Sequence, residues 1–231
     1  MPLTITGRGE ATDALALLKL MRLCSPMLPI GSFSWSQGLE AAVDRGWIHN
    51  RESAADWVEA SLMHSLASTE GPLLLRLHEA LQRSDHAAFA MWNELLLALR
   101  ETSELYQEDI EQGDLLHRLN RLHNPGCPDR LKPYTLAAAF AEALYEAAIP
   151  IKEGTLGFFY MWVETQVTQI IKLLPLGLRD GQALLDQVLL KVPQAVLKSK
   201  TCSDDELGFT LPGRALASCF HESQYCRIYR S

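Results

Sequence analysis

The sequence predicts an all-α protein, a single-domain helical bundle of roughly eight to ten helices spanning residues 1–231. Three observations predict it. Apolar residues recur at three- and four-residue spacing through most of the chain. No segment shows the sustained alternation and β-branched enrichment of a strand. Glycine, proline and capping residues punctuate the periodic segments, and no repeat of solenoid length appears.

The first twelve residues are polar and glycine-containing, so a mobile segment 1–12 is expected. Asp13 is the expected N-cap of a first helix, with Leu15, Leu18, Met21 and Leu23 as its apolar face. Two prolines, Pro26 and Pro29, then stop it, because proline lacks an amide donor and disfavours helix in the residue before it. Leu39, Val43 and Trp47 resume helical spacing, and Gly46 ends that element. Ser53 to Ala67 reads as a helix carrying Trp57, Leu62 and Leu66. After the Gly71-Pro72 punctuation come Leu73 to Leu81 and Asp85 to Arg100, the latter capped by Ser84 or Asp85. Ser103 to Leu122 is more charged, and Gln112-Gly113 suggests a break in it. His123 to Pro133 reads as a loop, and alanine-rich Thr135 to Ala148 as a strong helix former stopped by Pro150. Gly154 to Leu174 is the most apolar segment and is expected to be the central, mostly buried helix. Leu178 to Lys200 is amphipathic, and Pro193 should kink or divide it. A polar linker, SDDELGFTLPG, precedes the tail LASCFHESQYCRIYRS.

Composition narrows the function. The chain is 48% hydrophobic and 21% charged, as in ordinary globular proteins. A net charge of -7 argues against a nucleic-acid binder. Five cysteines, irregularly spaced and without a CxxC pair, suggest neither a disulfide framework nor a zinc ribbon. No signal peptide and no membrane-spanning run is visible, so a cytoplasmic protein is expected. Phosphate-loop and dinucleotide motifs are absent, and GSFSWS does not satisfy GxSxG. HESQY begins like HExxH but ends in tyrosine. No two of the seven histidines stand four apart, the spacing that lets a helix chelate a metal. Weak metal candidates are His117, His123 and Cys127, and separately Cys219, His221 and Cys226; the bland reading is solvated loop residues.

Four features remain. Ser25 to Glu40, SPMLPIGSFSWSQGLE, is a loop of defined shape displaying Phe33 and Trp35; it is either a connector that plugs the core or a functional loop. Arg100 to Glu104 is a charge-dense helix end, by default a solvated face. The tail clusters Tyr225, Arg227, Tyr229 and Arg230, residue types favoured as binding anchors; the alternative is a tail folded back on its own core. Lys172 ends the apolar run, where it snorkels to the surface, neutralises the helix C-terminus or meets a partner.

Together these motifs resemble a known family. LxLMRLCSPMLPIGSFSWSQGLEAAVDRGWI, from Leu18 to Ile48, closely resembles the N-terminal signature of the UreF-type urease accessory proteins. RETSEL, QIIKLLPLG and HESQYCRIYRS are similar, in order, to that family's RETxEL, KLxPxGQ and terminal HExQYSRLFRS stretches. The resemblance implies a non-enzymatic all-α protein that binds no cofactor itself. Its expected partners are a UreD/UreH-type accessory protein, a UreG-type GTPase and apo-urease, with nickel handled by the assembled complex. A homodimer is implied, with no nucleic-acid or membrane partner. Partner-binding residues implied by it or by the tail are Phe33, Glu40, Lys172, His221, Tyr225, Arg227, Tyr229 and Arg230, with residues 221–231 as the partner-binding tail. Phe33 and Glu40 are expected to face a partner while Trp35 and Leu39 plug the core. Lys172 and Glu40 fall on positions implicated in the GTPase contact, and Arg227 on one needed for the accessory complex. Cys226 departs from the family's serine, Cys219 precedes the His-Glu pair, and Tyr106-Gln107-Glu108 departs from a more basic stretch. Two other functions stand as alternatives: a direct nickel-binding metallochaperone using Cys219, His221 and Cys226, and an all-α enzyme using Ser34 or His221.

Overall fold

A computed structural model describes residues 8–125 and 131–231. Among the described residues the chain is all-α, with nine helices of eleven residues or more and two shorter ones. In order they are α1 (Arg8–Leu23), α2 (Leu39–Asp44), α3 (Arg51–His64), α4 (Glu70–Gln82), α5 (His86–Ala98), α6 (Ser103–His123), α7 (Leu136–Glu146), α8 (Ile151–Leu173), α9 (Leu178–Leu189), α10 (Val192–Thr201) and α11 (Pro212–Glu222).

The apolar α8 is central, as its sequence predicts: Phe158, Phe159, Val163, Val167 and Ile170 are buried. It touches α1, α2, α3, α4, α7, α9 and α10. Small residues bring the partners close. Gly157 meets Leu20 of α1 and Cys24 just beyond it, and Gly154 meets Leu144 of α7. Alanine-rich α7 lies between α4 and α6, with Ala137 to Ala139 and Phe140 buried.

Helix ends follow local chemistry. Asn50 and Ser53 form a capping box on α3, and the Asp85, Thr102 and Thr135 side chains accept the first free amides of α5, α6 and α7. Pro193 divides the last amphipathic stretch, sitting in the first turn of α10, where its missing donor costs nothing.

Some expectations are corrected. Helix α1 starts at Arg8, so Asp13 lies inside it rather than capping it. Its buried side is Leu20 and Leu23, continued by Cys24 just beyond the helix, and it meets α8, while Leu15, Leu18 and Met21 are exposed. Trp47 lies beyond α2 and packs edge-on against Phe220. Gly71 and Pro72 begin α4 instead of preceding it. Cys127 lies outside the described residues, as do residues 1–7.

Gln112-Gly113 does not break α6, which runs unbroken for 21 residues. Gly113 is there for closeness: a Cβ at this position would stand 2.2 Å from the Tyr134 carbonyl oxygen. Since backbone cannot swing aside as a side chain can, Gly113→Ala is expected to cost about 2 kcal/mol through forced separation of α6 and α7. Thermal unfolding checks this against Gly177→Ala, where nothing lies within 4 Å and the expected change is below about 0.5 kcal/mol.

Candidate functional site

The opening loop, the start of α6, the end of α11 and the tail converge on one face. Gly38 makes the approach possible. It adopts φ 82°, and a Cβ there would stand 2.7 Å from the Ser218 backbone nitrogen on α11. With α2 against α11, Glu40 comes within reach of His221.

Glu40 is 6% exposed and acts as an acceptor hub. Its Oε1 accepts the Ile228 amide at 2.7 Å, and its Oε2 accepts the Tyr229 amide at 2.8 Å. His221, fully buried, places Nε2 3.1 Å from Glu40 Oε2 and Nδ1 2.8 Å from Glu104 Oε2. Each ring nitrogen of His221 thus faces one carboxylate oxygen, which fixes the orientation of the imidazole. Glu104 Oε1 also accepts from Arg227 at 2.8 Å.

The end of the tail is pinned to the loop. Arg230 donates its backbone N–H to the Ser34 carbonyl at 2.8 Å, stacks over the Trp35 ring and pairs with Glu111 through both terminal nitrogens. Both the amide and the hydroxyl of Ser36 donate to the Ser231 carbonyl, and the Gln37 amide donates to the Ser231 hydroxyl. The tail is therefore folded back on the core, one of the two arrangements that its sequence allows.

Gln37 joins this face to the interior. Its backbone is left-handed, with φ 57°, an uncommon state for a residue with a side chain. Four hydrogen bonds hold it there. Besides the amide bond to Ser231, its Oε1 accepts from Trp162 Nε1 and Arg214 Nη2, each at 2.8 Å, and its Nε2 donates to Glu108 at 2.8 Å. Behind it Arg100 forks between Glu70 at 2.6 Å and Asp109 at 2.8 Å. Burial works against the Arg100 charge, yet Asp109 and Glu70 beside it raise its pKa. Burial likewise pushes the Glu70 carboxyl up, but Arg100 and Arg214 more than offset it and hold it below the usual range.

A second, outward feature lies beside the loop. Phe33, 67% exposed, and Lys172 at the end of α8 line one groove with Pro26 and Glu164. Trp35 and Leu39 plug the core, as expected from the sequence.

Comparison with known proteins places the chain in a family. The UreF family model matches residues 48–189. A urease accessory protein UreF of Alkalilimnicola ehrlichii is 41% identical, covering 96% of this chain and 99% of its own length. That of Marinobacter nauticus is 42% identical, covering 96% and 97%. The chain belongs to the UreF family of urease accessory proteins. A UreF 2 of Brucella anthropi, 42% identical over 95% of this chain and 98% of its own length, is similar over the same span.

Within the UreF frame, the expected partner-binding residues divide. Phe33, Lys172, Tyr225, Arg227 and Arg230 are exposed. Glu40, His221 and Tyr229 are buried, so in this state they hold the tail instead of facing outward. The reason is that a carboxylate beside α11 satisfies tail amides that would otherwise be orphaned. Cys219, His221 and Cys226 are not brought together as metal ligands: both His221 nitrogens face carboxylates, and the two cysteines are exposed. No group of three or more His, Cys, Asp or Glu suited to a metal occurs among the described residues.

Arg100 to Glu104 is not a solvated face. Arg100 is buried in its ion pairs, the Thr102 hydroxyl meets Ser218 at 2.7 Å, and Glu104 holds His221 and Arg227. Gln37, Glu108 and Arg214 carry the interior network and are not among the expected site residues. A charge-rich run directly following a capped helix is the sequence signal for Arg100 and Glu104, and no local signal marks Arg214.

Proposed function

We propose that this chain is a non-enzymatic scaffold for urease maturation. It joins a UreD/UreH-type accessory protein to a UreG-type GTPase and couples GTP hydrolysis to nickel insertion into apo-urease. The observation that carries the proposal is the outward face: Phe33 and Lys172 share a groove, and the tail beside it exposes Tyr225 together with Arg227 and Arg230, which are paired to Glu104 and Glu111. Aromatic and arginine side chains with a fixed backbone behind them are suited to be binding anchors. The scaffold acts on the GTPase only through unequal affinity for its nucleotide states. It works in the cytoplasm as a homodimer, and no helix among the described residues is long and apolar enough to cross a membrane. Nickel is cargo of the assembly, not a ligand held by Cys219, His221 and Cys226.

Phe33 and Lys172 are exposed, so their truncation leaves the core intact. Lys172→Ala is expected to weaken capture of the GTPase, and Arg227→Ala that of the UreD-type partner, each by about tenfold, roughly 1.4 kcal/mol. Pull-down of the purified partners with each variant measures this. Unchanged capture of both would remove the residue assignments.

A further inference from the structure

Beneath the opening loop the interior holds charges that the outward face does not use. Glu70, Arg100, Glu108, Asp109 and Arg214 line a cavity of about 40 Å³ together with Gln37. Three atoms of these residues, Glu70 Oε2, Glu108 Oε2 and Arg214 Nε, have no hydrogen-bond partner among the described residues. Glu70, Glu108 and Arg214 are 6%, 5% and 3% exposed. Buried polar atoms are almost always paired, so these need a partner.

The charges do not balance either. When ionised, Glu70, Glu108 and Asp109 outnumber Arg100 and Arg214 by one. Arg100 is committed to Glu70 and Asp109. Among the described residues the hydrogen bonds to the Glu108 carboxyl come from neutral donors, the amides of Gln37 and Gln112 at 2.8 and 2.9 Å, both on Oε1. Those of the Arg214 guanidinium go to the Ser65 hydroxyl and Gln37. Of the three unpaired atoms that line the cavity, Glu108 Oε2 and Arg214 Nε belong to residues bonded to Gln37.

We propose that this cavity is a proton-linked water site: Glu108 takes up the balancing proton on Oε2, and a water accepts both from that hydroxyl and from Arg214 Nε. The space suits about two or three waters. A metal ion would face two guanidinium groups, and an anion would face three carboxylates. Water is neutral and both donates and accepts.

The surroundings of Glu108 support the proton. Gln37 faces it from the loop, Glu70 from α4, Arg100 from the α5–α6 connection, Asp109 and Gln112 from α6, Trp162 from α8 and Arg214 from α11. Burial pushes the Glu108 carboxyl up to about 7, against the Gln37 hydrogen bond and the Arg214 and Arg100 charges that pull it down. The folded chain then keeps a proton that the unfolded chain loses near its ordinary value of 4.5. The stability Glu108 contributes is fully present below that value and is lost as pH rises through about 7.

The test uses the full chain. Side-chain carboxyl NMR, with Glu108 assigned by Glu108→Gln, is expected to show one signal titrating near 7 that the variant lacks. A crystal structure sharp enough to place waters is expected to show one on Arg214 Nε and Glu108 Oε2. If the variant does not fold, unfolding of the wild-type chain across pH reads the proton uptake directly. Titration of Glu108 with the ordinary carboxylates, absence of proton uptake on folding, or a dry cavity would each overturn the proposal.

Discussion

Replacing Glu40 by alanine is expected to release the tail while leaving the bundle folded. The substitution deletes the acceptor for the Ile228 and Tyr229 amides and one of the two carboxylates on His221. Leaving such buried donors without their acceptor costs about 1–3 kcal/mol. The tail has a cheaper escape than global unfolding: it lifts away and lets water satisfy its amides. The loss is therefore concentrated there. Hydrogen exchange at Ile228 and Tyr229 is expected to speed up by about a hundredfold, since each 1.4 kcal/mol is tenfold. Circular dichroism should keep its helical signal. Protection of those two amides at the wild-type level would show that Glu40 does not hold the tail; loss of helix would show that the tail belongs to the core.

Arg100→Met should act on the whole bundle. It leaves Glu70 and Asp109 facing each other across a site that is largely closed to water, with no cation between them. Asp109 keeps the Leu136 amide at 2.8 Å, but Glu70 loses its nearest charge. The expected cost is about 3–5 kcal/mol, or a fall of roughly 10 °C in Tm. Acid should produce a milder version in the wild type. Burial alone would raise the Glu70 pKa, yet Arg100 holds it low, so its contribution is present above its ordinary value of 4.5 and is lost as pH falls through the depressed one. Adding Glu70→Gln to Arg100→Met should recover part of the loss. A Tm within about 2 °C of wild type for Arg100→Met would mean the ion pairs contribute little.

The fold was legible because helical periodicity and end signals are local. Asp85, Thr135, Gly46 and Pro193 each act within a turn of their own position, and each ends or starts the element expected of it. Gly113 shows the limit: it looks like a helix breaker until the passing Tyr134 carbonyl is known. The same limit governs the site. Phe33 lies outside and Trp35 and Leu39 inside, as the local pattern predicts. Glu40 lies inside against that pattern, because what buries it comes from residues 221–229, far along the chain. Arg100 looks like surface charge in sequence and becomes interior only when α4 and α6 supply carboxylates on both sides. Long-range pairing of this kind leaves no periodic trace.

The bonds from Ser36 and Gln37 to Ser231 span 195 and 194 positions. They close one of the longest loops the chain can make, and such closures are entropically the most expensive before the bundle exists and nearly free after it. The seam between the loop and the tail is therefore expected to form late in folding. Weakening it should speed unfolding and leave the folding rate almost untouched, which stopped-flow kinetics of Ser36→Ala would read. A bundle that assembles first and is fastened afterwards is the expected behaviour.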